Sequence, residues 1–134
     1  MTLGEIKNQI MFQTNNDAED IEDYLPHVTD YINDGYDKLL KVWTKTHHVA
    51  DDTYEPLMYD SDEPELPEWL HRYICDWATW LVYRNGNPQK QQRGRAYYES
   101  FMLILSQISG EGGAAAMNAD GSVTQYNKFR NIPV

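Results

Sequence analysis

Residues 21–43 read IEDYLPHVTDYINDGYDKLLKVW, and within them Ile21, Leu25, Val28, Ile32, Tyr36, Leu39 and Trp43 recur at spacings of three and four. That period places all seven on one side of an α-helix, with Asp30, Asn33, Asp34, Asp37, Lys38 and Lys41 left for other faces. Pro26 lacks a backbone N–H, so the regular helix is expected to begin at about Leu25 with the proline in its first turn. Gly35 costs about 1 kcal/mol relative to alanine inside a helix, which close packing against a neighbour would explain. A long amphipathic helix with one apolar side requires partners of the same kind.

The flanking sequence supplies them. Thr2 and Glu5 form a capping-box pair ahead of Leu3, Ile6 and Ile10, which predicts a first helix over about 3–13, stopped by the polar run Thr14 to Asp17. Pro67 opens a third helix carrying Leu70, Tyr73, Ile74, Trp77 and Leu81, with Gly86 as its stop. Asn87 followed by Pro88 signals the start of a fourth helix whose stripe is Tyr97, Phe101, Leu105 and Ile108, with Gly110 as its expected end. So short a connection makes the third and fourth helices an antiparallel pair. The expected fold is all-α: a bundle of about four helices over residues 1–109, followed by a flexible arm over 110–134. Between Val49 and Leu66 periodicity lapses into a long acidic loop containing Pro56 and Pro64, where Thr53-Tyr54 and Leu57-Met58-Tyr59 could pair as a short β-hairpin. A connection of that length is a candidate contact surface. In the arm, Val123, Tyr126, Phe129 and Ile132 are spaced by three and offer apolar groups to a partner.

At 134 residues and 41% apolar, the chain has material for one compact core. No stretch approaches the roughly 18–20 apolar residues of a membrane span, and the N-terminus lacks the pattern of a secretory signal, so no membrane association is expected. A single cysteine, Cys75, excludes an internal disulfide framework. Charge is uneven: residues 1–70 hold 17 acidic side chains against 4 Lys or Arg, while residues 71–134 hold 4 against 7, within a net charge of −10. An excess of that sign argues against a protein that grips nucleic-acid phosphates, and the asymmetry lets the acidic part of one copy face the basic part of another.

Few constellations in the sequence could carry chemistry. His47, His48, Asp51 and Asp52 come nearest to a metal set, although histidines at a helix C-terminus are also favoured by the helix dipole. Asp60 to Glu65 lacks the glycine and terminal glutamate of an EF-hand. Trp69, Tyr73, Trp77, Trp80 and Tyr83 could stack bases beside Arg84, Lys90, Arg93 and Arg95, but aromatics at helical spacing mostly build cores. No nucleophile elbow, phosphate-binding glycine loop, zinc pattern or dinucleotide fingerprint occurs, so neither catalysis nor a cofactor is expected.

The segments Leu66-Pro67-Glu68-Trp69, Asp76-Trp77-Ala78-Thr79-Trp80 and Tyr83-Arg84-Asn85-Gly86-Asn87-Pro88-Gln89-Lys90, together with Asp30-Tyr31-Ile32-Asn33-Asp34-Gly35-Tyr36, resemble the head-to-tail adaptor, or connector, proteins of tailed bacteriophages and prophages. The resemblance spans roughly residues 1–109 and rests on packing and turn residues. It implies a helical subunit of the virion neck, made in the host cytoplasm and assembled as a homo-oligomeric ring of about twelve beneath the portal protein. Such a ring passes DNA through its channel without specific binding and presents a platform to the next tail or stopper component. Arg84, Lys90, Arg93, Arg95 and the arm residues Val123, Tyr126, Phe129 and Ile132 are then the expected subunit or partner contacts. The alternative is an acidic DNA mimic that occupies the basic groove of a host nucleic-acid enzyme, for which carboxylates should be spaced along one exposed face.

Overall fold

The computed structural model describes residues 1–14, 24–47 and 54–114. Four α-helices account for most of them: α1 (Leu3–Gln13), α2 (Val28–Thr46), α3 (Glu68–Arg84) and α4 (Pro88–Ala114), with a 3-10 turn at Leu25–His27 leading into α2. No strand occurs among the described residues.

Local signals fix the helix ends. Thr2 and Glu5 form the capping box, Glu5 N donating to Thr2 Oγ1 at 3.2 Å and Thr2 N to Glu5 Oε1 at 2.8 Å. Asn87 Oδ1 accepts from Lys90 N at 2.9 Å and so caps α4. At the end of α2, the His47 ring stacks on Trp43 with centroids 3.7 Å apart. The proline enters as expected, but as a 3-10 turn. Its tighter winding takes Leu25 out of the α-helical register, and Leu25 is exposed where periodicity had it in the core. Ile21 lies outside the described residues.

The helix α3 is central, about 25 Å long for its 17 residues, and packs against each of the other three. Its neighbours are read from paired contacts along its length. Met1 lies by Glu68 and Gln13 by Asp76 and Thr79, so α1 runs parallel to α3. Trp43 meets Trp69 while Gly35 meets Trp77, so α2 is antiparallel. Gly94 meets Tyr83 and Phe101 meets Trp77, which makes α3 and α4 the expected antiparallel pair. The core between them holds Leu3, Ile6, Ile10, Ile32, Leu39, Leu70, Ile74, Phe101 and Ile108, all fully buried. Each such side chain contributes roughly 1.5–3 kcal/mol relative to exposure.

Two expectations are corrected. Gly110 does not end the fourth helix, which continues to Ala114. Gly110 is exposed with open space around it, and a propensity cost of about 1 kcal/mol does not halt a helix that is already propagating. Nor does the 54–67 segment form a hairpin: Tyr54 to Tyr59 are irregular, and Thr53 lies outside the described residues.

Candidate interaction surfaces

The acidic loop is built as a fixed structure. Asn33, half-buried on α2, uses both ends of its amide on one residue: its Nδ2 donates to Leu57 O at 2.9 Å and its Oδ1 accepts from Leu57 N at 2.7 Å. That pair imitates a strand-to-strand exchange and removes the need for a hairpin partner, which is the physical reason the hairpin is absent. Leu57 is buried between the helices, and Tyr54 lies against Tyr36 with centroids 5.3 Å apart. Glu65 N donates to the Tyr36 hydroxyl at 2.9 Å, closing the far end of the loop on α2.

The loop also completes α1. Leu3 N donates to Asp62 O at 2.7 Å and Gly4 N to Asp60 O at 3.0 Å, so loop carbonyls satisfy two of the first-turn N–H groups that a helix leaves unpaired. A Cβ on Gly4 would stand 3.3 Å from Asp60 Cβ, so the glycine permits this approach. Lys7 pairs with Asp60 at 3.1 Å. The Asp62 carboxylate accepts from both Met58 N and Tyr59 N at 2.8 Å, and these amides hold it below the usual carboxylate range. The outcome is a tight apex in which Met58 and Tyr59 are 67% and 68% exposed, flanked in the sequence by exposed Glu55, Asp60 and Glu63. Two large apolar side chains held outward by polar anchors on both sides form an uncommon surface feature.

A second surface lies at the turn between α3 and α4. Arg84 ends α3, and Lys90, Arg93 and Arg95 occupy the first turns of α4, so the four predicted basic residues are brought to one end of the molecule. Arg84, Arg93 and Arg95 are exposed and make no ion pair among the described residues. The turn is compact because the stem of Lys90 lies against Gly86, where a Cβ would come within 2.8 Å of it, and because Gly94 sits against Tyr83. Along α4, Arg95, Tyr98 and Met102 follow at spacings of three and four and share one side, with Tyr98 and Met102 36% and 42% exposed. Tyr98 leans on Trp77 and Trp80.

The remaining candidates separate. Trp77 and Tyr83 are buried, and Trp69 sits at the opposite end of α3 from Arg84, so the aromatics do not form a base-stacking platform beside the arginines. His47 is the C-cap of α2, with Nδ1 3.0 Å from Trp43 O, while His48, Asp51 and Asp52 lie outside the described residues. Val123, Tyr126, Phe129 and Ile132 lie outside them as well. Among the described residues no three His, Cys, Asp or Glu side chains are grouped to hold a metal, and no helix is long and apolar enough to cross a membrane.

A shallow depression of about 330 Å³ on α2 is lined by Asp30, Asn33, Asp34, Asp37, Tyr54 and Pro56. Its charge is partly answered within the chain, since Asp34 pairs with Lys38 at 3.2 Å and Asp37 with Lys41 at 3.0 Å. The Cys75 thiol is buried, which pushes it up to about 12 and leaves it protonated at neutral pH.

A buried polar cluster around Asp76 was not foreseen from the sequence. Asp76, 6% exposed, accepts from Gln13 Nε2 at 3.1 Å and Ser100 Oγ at 3.0 Å, while Thr79 Oγ1 donates to Gln13 Oε1 at 2.6 Å. Burial raises the Asp76 carboxyl above its ordinary value, and the two donors offset only part of that. The cluster ties α1 and α4 to α3. A lone aspartate in an apolar stripe was its only signal, and its donors come from helices distant in sequence.

Comparison of the chain with family models, with curated proteins and with solved structures gives no match.

Proposed function

We propose that the chain is a structural neck protein of a tailed bacteriophage or prophage: a head-to-tail adaptor that binds beneath the portal as a ring, extends the DNA channel and receives the next tail or stopper component. The observation that carries this reading is the occurrence of an exposed apolar loop apex with acidic neighbours and an exposed basic end on one helical body. The resemblance of the segments between Leu66 and Lys90 to adaptor proteins supports it. Its chemistry is binding alone. Contact between unlike surfaces of successive copies is head-to-tail and closes when the rotation per copy divides a full turn. Acidic side chains facing a channel repel phosphates, so a duplex slides without being gripped.

The long helix α4 carries the chain away from the basic turn, so the arm leaves from the end where α1 and α3 begin. In this reading the arm reaches the portal or a neighbouring copy. Truncation after Ala114 is expected to preserve all four helices, with an unchanged melting temperature, and to weaken attachment to the portal.

The test is co-expression of the full chain with the portal protein encoded in the same genome, followed by affinity purification and imaging. Copurification as a ring seated on the portal is expected. A chain that ignores the portal and instead copurifies with a host nucleic-acid enzyme would establish the DNA-mimic alternative. The ion pairs of Lys38 and Lys41 with the α2 carboxylates weigh against that alternative, because a mimic needs its negative charges unanswered.

A further inference from the structure

We propose that the contact between successive copies is made by the loop apex Met58-Tyr59-Asp60 of one copy seated on the Arg95-Tyr98-Met102 side of α4 in the next, a pairing that deepens the adaptor reading and rests on it for its biological setting.

Three observations converge on a second copy as the occupant. The first is rigidity. The apex is pinned by Asp62 through two backbone amides, by Asn33 through Leu57 and by α1 through Gly4 and Leu3, so little ordering entropy is lost when it docks. The second is complementarity. The apex is apolar at its centre with acidic residues beside it, while the α4 side is apolar at Tyr98 and Met102 with Arg95 one turn before them, exposed and in no ion pair among the described residues. A chain of net charge −10 repels its own copies unless its unlike regions are brought together, and this pairing does so.

The third is placement. The loop packs along α2 through Asn33 and Tyr36 and along α1 through Gly4, whereas Tyr98 reaches the side of Trp77 on α3. Loop and α4 side share no residue, and a contact between them leaves one copy with its α4 side free and the other with its loop free. Such a head-to-tail contact can pass from copy to copy and close into a ring. Two exposed side chains bury less than the roughly 1,200 Å² of a standard interface. Each single contact is weak, and closure of the ring, in which every copy makes two, holds the assembly.

Cysteine trapping tests the pairing on the full chain. The native Cys75 is buried and does not compete. Met58→Cys and Met102→Cys chains, mixed and oxidised, are expected to give a disulfide-linked dimer several-fold in excess of Met58→Cys mixed with Leu25→Cys, whose site is comparably exposed. Reversing Arg95 to glutamate should lower the yield several-fold, and the compensating E63K change in the loop partner should restore it. Equal yields for the two cysteine pairs, or a yield indifferent to the reversals, would overturn the contact. Neither readout involves the portal, so a ring that seats on the portal yet fails this test retires the contact and leaves the proposed function standing.

Discussion

The α3–α4 pair and the loop of residues 54–67 are equally well defined in the structure, but they are held by opposite means. The helix pair is ordered by a continuous apolar seam, with Ile74, Leu81, Phe101, Ile104 and Ile108 buried along it. The loop buries only Leu57 and Pro64 and is ordered by side chains that take the place of backbone partners: Asn33 on Leu57, Asp62 on Met58 and Tyr59, and Tyr36 on Glu65. Packing spreads stability over many contacts, whereas these anchors concentrate it in three residues. The loop should consequently be the part that a single polar substitution can release without unfolding the rest.

The largest expected effect is on the seam. Phe101→Ala should cost about 3–5 kcal/mol, read by denaturant unfolding, because the ring is fully buried against Trp77. Gly94→Ala should cost about 1–3 kcal/mol despite its better helix propensity, since the new Cβ would stand 2.7 Å from Tyr83 Cβ, which cannot swing aside. A stabilised Gly94→Ala protein would mean that the helix pair separates more easily than its packing implies.

Asn33→Ala addresses the other side of the comparison. It strands the N–H and C=O of Leu57 at a cost of about 1–3 kcal/mol, and the Leu57 amide should exchange much faster with solvent while amides of α3 stay protected. Loss of protection throughout α3 would show that loop and bundle form one cooperative unit.

Acid should separate the two regions by sign. Asp62 has a folded-state value below its unfolded one, so its stabilisation is present above the unfolded value of about 4 and is lost as pH falls through the lower folded value. Asp76 is raised, so the stability linked to its protonation is complete below the unfolded value and disappears as pH rises through the folded one. Asp76→Asn keeps an acceptor for Gln13 and a donor for Ser100, whose hydroxyl can turn to accept. It should therefore flatten the bundle's pH dependence on the side above the ordinary carboxylate value and leave that of the loop unchanged, as followed by NMR titration of amides in each region. The smallest effects belong to exposed arginines such as Arg93, where substitution should move stability by less than about 0.5 kcal/mol.

What could be read from sequence follows the same division. Capping at Thr2, the stripes of α2 to α4 and the Gly86–Asn87 turn were legible because they depend on neighbours within one or two helical turns. The loop was not, since Asn33 and Leu57 are 24 residues apart and an asparagine on a helix gives no sign of what it will hold. The helix end misplaced at Gly110 shows the limit of a local signal when the glycine faces open space. Of the candidate surfaces, the basic residues were recognisable as a group because they are close in sequence. Their apolar counterpart, Met58 and Tyr59, became visible only when the fold fixed which way they face.

The central claim is that this chain works as a ring of copies seated on a portal. Electron microscopy of the full chain co-purified with the portal of its own genome tests it most directly. The account predicts a closed ring of copies continuous with the portal channel, while single chains bound to the portal without lateral contact, or no binding at all, would contradict it.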